Sequence, residues 1–270
     1  MSAFSCPYSD AGFSQRGPIV IEARGLCKSF QDKKRGEIRA VDHVSFTARP
    51  GQIYGLLGAN GAGKTTALRM LATILEPTAG TATVCGHDVI DAPEKVRANI
   101  GFLSTATALY PRLTAQEMVE YFGRLNGLGE PALKKRINEI FARLDMNAFR
   151  DRRCDKLSTG MKQKTSIART LVHDPPVMIF DEPTLGLDIM TARTITAFIR
   201  ECRDNGKTVI FSTHIMSEVE KLCDTIGIIQ SGKLLTEGTL AELRAKHGEQ
   251  DLEEIFVKVV APHYVSEGAS

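Results

Sequence analysis

The stretch IYGLLGANGAGKTTALRML, residues 53–71, reads as a strand, a glycine-rich loop and a helix. IYGLL is a short apolar run of the kind a sheet buries on both faces. Residues 58–66, GANGAGKTT, follow at once and fit the spacing GxxxxGK[ST], with Gly58, Gly63, Lys64 and Thr65 in the defining places. Such a loop turns backbone N–H groups inward around phosphate oxygens, and it needs glycine where a Cβ would clash or where φ is positive. On this reading Gly58, Ala59, Asn60, Gly61, Ala62, Gly63, Lys64, Thr65 and Thr66 cradle a nucleoside triphosphate. Lys64 brings an ammonium to the β and γ phosphates, Thr65 offers a hydroxyl to Mg²⁺, and the helix starting there adds its N-terminal dipole. The motif is common to many nucleotide-hydrolysing proteins, so the rest of the chain has to choose among them.

The flanks extend the same architecture. IVIEA (19–23), VSFTA (44–48), TATV (81–84), IGFL (100–103), VMIF (177–180), TVIF (208–211) and TIGII (225–229) have strand composition. A helix is expected over 65–75, with Ala67, Leu68, Leu71 and Ile74 at helical spacing, stopping before Glu76-Pro77. Two more fall between about 114 and 145. The first opens on Thr114 and Glu117, spaced for a reciprocal cap, and the second carries Leu133, Ile137, Ile140, Phe141 and Leu144 on one face. Further helical patterns start at Ser158 and run around 190–204 and 216–222. Strands alternating with helices predict an α/β fold with a mainly parallel sheet covered on both faces.

Composition narrows the classes. The chain has 270 residues, 43% hydrophobic and 24% charged, an ordinary globular make-up that leaves one domain or two open. A net charge of +2 argues against a nucleic-acid binder relying on a broad positive field, while a local basic patch stays open. Six cysteines without a CxxC pair suggest neither a zinc site nor a disulfide framework, and fit a reduced, cytosolic setting. With no leader pattern at the N-terminus and no long apolar run, the expectation is a chain that neither crosses a bilayer nor is exported.

A carboxylate pair, Asp181-Glu182, ends the apolar run VMIF. At the end of a buried strand beside a phosphate loop, Asp181 is placed to hold Mg²⁺ and Glu182 to polarise an attacking water as general base. About two dozen residues earlier stands LSTGMKQK (157–164), which resembles the LSGGQ signature of ATP-binding cassette (ABC) ATPases. LGLD (185–188) is similar to that family's D-loop, His214 in FSTHIMSEVE (211–220) to its switch histidine, and Phe30 in LCKSF to the aromatic that stacks on adenine. The ordered set covers roughly residues 19–240.

The resemblance implies a P-loop NTPase core with an N-terminal antiparallel β portion and an inserted helical subdomain. The expected division is a flexible tail over 1–17, an ATPase domain over 18–245 with the helical insertion at about 105–160, and a C-terminal tail over 246–270. It implies ATP and Mg²⁺ as cofactors, with Thr65 and Asp181 on the metal and Glu182 and His214 as catalytic groups. It also implies a head-to-tail dimer with a second copy, in which Ser158, Gly160 and Asp188 face the nucleotide held by the other subunit. Ser158 is a good N-cap, and its helix N-terminus would present N–H donors to a γ-phosphate. The other partner implied is a multi-span permease, docked on the helical segment 105–145 at the cytoplasmic face of the cell membrane, with no nucleic acid. The phrasing of GFLSTATALYPRLT, STGMKQK and LEEIFVKV is most similar to the exporter branch that includes sodium-extruding ATPases. The sequence departs from the family at Thr105, where a glutamine is usual, and at Thr159 and Met161 within the signature. Two other classes compete: a soluble ABC ATPase acting on nucleic acid or ribosomes, and a nucleotide-binding module that does not turn over. The absence of a coiled-coil insertion or second cassette disfavours the former, and the presence of both Glu182 and His214 the latter.

Overall fold

The computed structural model describes residues 20–34, 36–104 and 108–264. The expected tail over 1–17 and the departure at Thr105 lie outside the described residues. The first five strands are β1 (Ile21–Asp32), β2 (Gly36–Ala48), β3 (Ile53–Leu57), β4 (Ala79–Val84) and β5 (His87–Asp88). The rest are β6 (Ile100–Ser104), β7 (Val177–Asp181), β8 (Thr208–Thr213), β9 (Thr225–Gln230) and β10 (Lys233–Gly238). They form two sheets, an antiparallel one in the order β2-β1-β4-β5 and a six-stranded one in the order β10-β9-β3-β8-β7-β6. In the larger sheet β9, β3, β8, β7 and β6 run parallel, and β10 closes one edge antiparallel. β3 sits between β8 and β9, which both come from the last quarter of the chain. That is the point where strand order reverses, and open α/β sheets leave a crevice beyond the strand ends there.

The helices are α1 (Lys64–Leu71), α2 (Pro93–Asn99), α3 (Ala115–Leu125), α4 (Glu130–Arg143), α5 (Thr159–Leu171), α6 (Ile189–Asp204), α7 (Met216–Leu222), α8 (Leu240–His247) and α9 (Leu252–Tyr264). Strand periodicity divides the core between them, because successive side chains point to opposite faces. Val177 and Ile179, with Tyr54, Leu56 and Ile210, pack towards α1 and the antiparallel sheet. Met178, Phe180, Val209 and Phe211 pack on the other face against α3, α4, α5 and α6. Asp181 continues the odd-numbered series of β7 and Ser212 the even-numbered series of β8, so both leave the sheet on the α1 side.

The helical segment follows the physics read from its sequence. Thr114 and Glu117 cap each other reciprocally at the start of α3, and Leu133, Ile137, Ile140, Phe141 and Leu144 are all buried. Three expectations need correction. α1 ends at Leu71, because Thr73 takes a left-handed backbone (φ 57°) and the N–H groups of Ile74 and Leu75 both donate to the Arg69 carbonyl. Ile74 is left 56% exposed and outside the helix. β1 and β2 run well beyond the short segments expected, with register shifts interrupting their alternation. Finally, within the tail expected over 246–270, the described residues Leu252–Tyr264 form α9, which buries Leu252, Ile255 and Val260 against Leu57, Val219, Ile226 and Ile228. Its apolar residues recur at helical spacing, a signal legible in LEEIFVKVV.

Candidate nucleotide site

The loop 58–63 is held in shape by close backbone approach. A Cβ on Gly58 would lie 2.4 Å from the Ile229 carbonyl oxygen, and Gly63, at φ 105°, would bring one to 2.5 Å from that of Ala40. Both positions exclude any side chain, and Gly63 adopts the conformation that L residues rarely take. Gly63 is also the N-cap of α1 and offers no side-chain acceptor, so the first N–H groups of the helix are left for another acceptor. A cleft opens over this loop, lined by Ala40, residues 60–66, Asp181, Glu182 and Leu185.

Lys64 is only 3% exposed. Its ammonium donates to the carbonyl oxygens of Gly58 (2.7 Å) and Ala59 (3.0 Å) and lies 3.1 Å from Glu182 Oε1. A buried charge needs such compensation, and here three oxygens supply it. The Thr65 hydroxyl donates to Asp181 Oδ1 (3.0 Å), which also accepts from the Ser212 hydroxyl (2.8 Å), while Ser104 donates to Oδ2 (3.4 Å). Ser104, Asp181 and Ser212 are neighbours across the β6–β7–β8 ladder, so register alone brings the three together on one face. Glu182 follows with a left-handed backbone (φ 48°), pinned by its N–H donating to the carbonyl and hydroxyl of Ser212. That conformation costs a non-glycine residue about 1 kcal/mol or more, and it swings the Glu182 side chain out of the strand's alternation into the cleft. His214 Nδ1 is buried 3.3 Å from Glu182 Oε2 without forming a hydrogen bond there.

The remaining candidates sit elsewhere. Ser158 is exposed, caps α5 by accepting from the Met161 N–H (3.3 Å), and stands apart from the cleft lining. Asp188 is exposed and caps α6, accepting from the N–H groups of Met190 and Thr191 and from the Thr191 hydroxyl. The Thr191 hydroxyl in turn faces Gly160, where a Cβ would lie 3.2 Å away. Phe30 is 41% exposed on β1, with the Lys28 ammonium 5.6 Å from its ring centroid, and does not line the cleft.

Four residues that sequence reasoning did not single out belong to this region. Ser104 and Ser212 hold Asp181, Ala40 walls the cleft beside Gly63, and Gln163 of α5 donates to the Pro183 carbonyl (2.9 Å), next to Glu182. For the two serines the available signal was their place at the ends of apolar strand runs.

Comparison with known proteins bears on the class. The ABC transporter family profile matches residues 41–185, just over half of the chain. The ABC transporter ATP-binding protein NatA of Bacillus subtilis is 45% identical over 88% of this chain and 97% of its own length. A probable multidrug ABC transporter ATP-binding protein of Escherichia coli, YbhF, is 34% identical over 90% of this chain, which spans only 42% of that protein. Among solved structures, a dimeric ATP-binding cassette in a post-hydrolysis state with ADP and Pi superposes with a TM-score of 0.74 at 25% identity, covering 81% of this chain and 98% of that one. The chain belongs to the ABC transporter family, as an ATP-binding subunit with ATPase activity.

Proposed function

We propose that this chain energises export through a separate multi-span permease, and that two copies clamp ATP between them head to tail. The observation that carries the proposal is the division of the candidate residues. Lys64, Thr65, Asp181 and Glu182 line one cleft, with His214 set against Glu182, while Ser158, Gly160 and Asp188 stand outside its lining. Ile189 and Met190, 74% and 69% exposed, flank Asp188 on that second face with apolar surface suited to burial against another copy.

In this reading the phosphates take the place of the carbonyls and of Glu182 around Lys64. Glu182, freed from the ammonium, accepts the proton of the attacking water, and His214 on its far side orients it. The α5 N-terminus of the second copy supplies N–H donors where negative charge develops. The hydroxyl of Thr65 and the carboxylate of Asp181, two hard oxygen donors 3.0 Å apart, fit Mg²⁺. The ion would neutralise phosphate charge there. The closed dimer is favoured only while the triphosphate bridges both faces, so hydrolysis releases it and moves the permease.

Among the described residues no helix is long and apolar enough to cross a membrane. The permease supplies the spans and holds this subunit at the cytoplasmic face, with the segment 105–145 as its docking side and no role for nucleic acid. The name of the multidrug relative favours a drug as cargo, and the resemblance in phrasing to sodium-extruding ATPases keeps sodium or another small solute beside it.

The test is complementation. Lys64→Ala breaks the loop side and Ser158→Arg the opposite side, so each homodimer has two broken sites, whereas a mixed dimer regains one intact site. Recovery of hydrolysis on mixing two inactive variants is expected. Two pure variants that stay inactive when mixed, yet each form dimers with the wild type, overturn the sandwich.

A further inference from the structure

A β-bulge between β1 and β2, two residues on from the cleft residue Ala40, gathers three metal-binding side chains. In the β1–β2 ladder Leu26 pairs with Val44 and Lys28 with Val41, so Asp42 and His43 together stand opposite the single residue Cys27. Adjacent strand residues ordinarily point to opposite faces, and a bulge re-aims one of them. The extra residue, His43, takes a left-handed backbone (φ 53°). Its N–H then points at the Cys27 sulfur (3.2 Å), while its Nδ1 meets Asp42 Oδ1 at 2.8 Å. One sulfur, one nitrogen and one oxygen donor lie within 4.8 Å of one another.

We propose that Cys27, Asp42 and His43 bind a borderline divalent cation, Zn²⁺ foremost, through thiolate, carboxylate and imidazole, with water as fourth ligand. Sulfur and imidazole together select such a cation over Mg²⁺ or Ca²⁺. Bond lengths of about 2.0–2.3 Å in a tetrahedron set donors roughly 3.3–3.6 Å apart, so the three must adjust by about an ångström. The parts that move are free to do so: the His43 side chain is 76% exposed, and Arg39 and Lys233, now paired with Asp42 at 3.2 and 3.5 Å, are themselves exposed enough to turn out to solvent. The buried Cys27 donates only a long contact to the Gly25 carbonyl (3.5 Å) and gives up its thiol proton to solvent as the metal–sulfur bond forms. The N–H of His43 already in place then supports the thiolate.

The site connects to the phosphate loop through the backbone. The Asp42 N–H donates to the Gly232 carbonyl (2.8 Å), and the Gly232 N–H donates to the Ala62 carbonyl (2.9 Å) inside the loop. A cation that draws Asp42 towards Cys27 pulls on this two-bond chain, and nucleotide affinity falls when the site is filled.

The experiment uses the reduced full chain. Co²⁺ alone is titrated first, where one equivalent is expected to give a thiolate-to-metal charge-transfer band and the visible spectrum of a tetrahedral ion. Cys27→Ser should abolish the band, and His43→Asn should weaken affinity roughly tenfold or more. Asparagine tolerates the left-handed backbone at that exposed position, so the second variant keeps the fold. A band that persists undiminished in Cys27→Ser, or no thiolate band in the wild type, overturns the site. Zn²⁺ is then added to the wild type with a fluorescent ATP analogue, and binding is expected to weaken about fivefold and to recover with chelator. Unchanged analogue affinity with the metal bound overturns the coupling. The Co²⁺ spectra stand whether or not the chain works as an exporter subunit, so failure of that reading and failure of the metal site are distinguishable.

Discussion

The two faces that carry the candidate residues are built on opposite terms. At the phosphate loop every charged group already has partners within the chain: Lys64 has three oxygens and Asp181 three hydroxyls. The geometry is set before any ligand arrives, and in the proposed reading a triphosphate exchanges one set of oxygens around Lys64 for another. At the Ser158–Asp188 face the polar side chains are spent on capping their own helices, and apolar side chains stand exposed around them. On the proposed reading the first face serves chemistry and the second association. Damage to the first should therefore stay within the subunit, whereas damage to the second should appear only when two subunits meet.

The largest expected effect breaks the first face. Glu182→Gln should slow hydrolysis by about 10²–10⁴-fold while ATP still binds, and phosphate release at the wild-type rate would refute the assignment of the base. Without nucleotide the same variant leaves Lys64 with carbonyls only, and a loss of about 1–3 kcal/mol in stability is expected by denaturant titration. Saturating ATP should narrow that loss, because phosphates replace the missing carboxylate.

Ser158→Arg is next, and breaks the second face. Turnover should fall about 10²-fold, with the affinity of the isolated subunit for ATP unchanged by calorimetry. Equal loss of affinity would erase the distinction between the faces. Smaller still, Ser212→Ala removes the shortest hydrogen bond to Asp181 and should cost about 1–2 kcal/mol, read as a shifted denaturation midpoint and a raised Mg²⁺ requirement. Gln163→Ala, which cuts the link from α5 to Pro183, should cost about 1 kcal/mol or less. If Gln163 ties the second face to the first, turnover falls while ATP affinity stays; a stability loss alone makes it an ordinary structural bond.

The parts of this molecule legible in its sequence are those fixed by residues near one another along the chain. The loop at 58–66 announces itself by glycine spacing, the starts of α3 and α5 by Thr114 and Ser158, and the buried stripe of α4 by its period. The parts that stayed hidden depend on what lies beside a residue in space. Ser212 matters because β8 pairs with β7 in one register, which no local pattern states. β1 and β2 outrun their sequence signal because bulges break the alternation that marks a strand. Ile74 keeps perfect helical spacing, yet the chain has already turned at Thr73. The apolar period of α9 was present throughout, but the wall that gives it something to cover is assembled from β3, α7 and β9.

The position of β3 between β8 and β9 also sets an order of events at the ribosome. Ile53 and its neighbours are synthesised early, but Val209 and Thr225, where their pairing partners begin, emerge only after more than half the chain has followed. Until then the strand leading into the phosphate loop has neither lateral neighbour, and Asp181 has no Ser212 to meet it. The lateral support of the phosphate loop is complete only once β8 and β9 have been made, and assembly of that long-range pairing is the step at which folding is expected to be slowest.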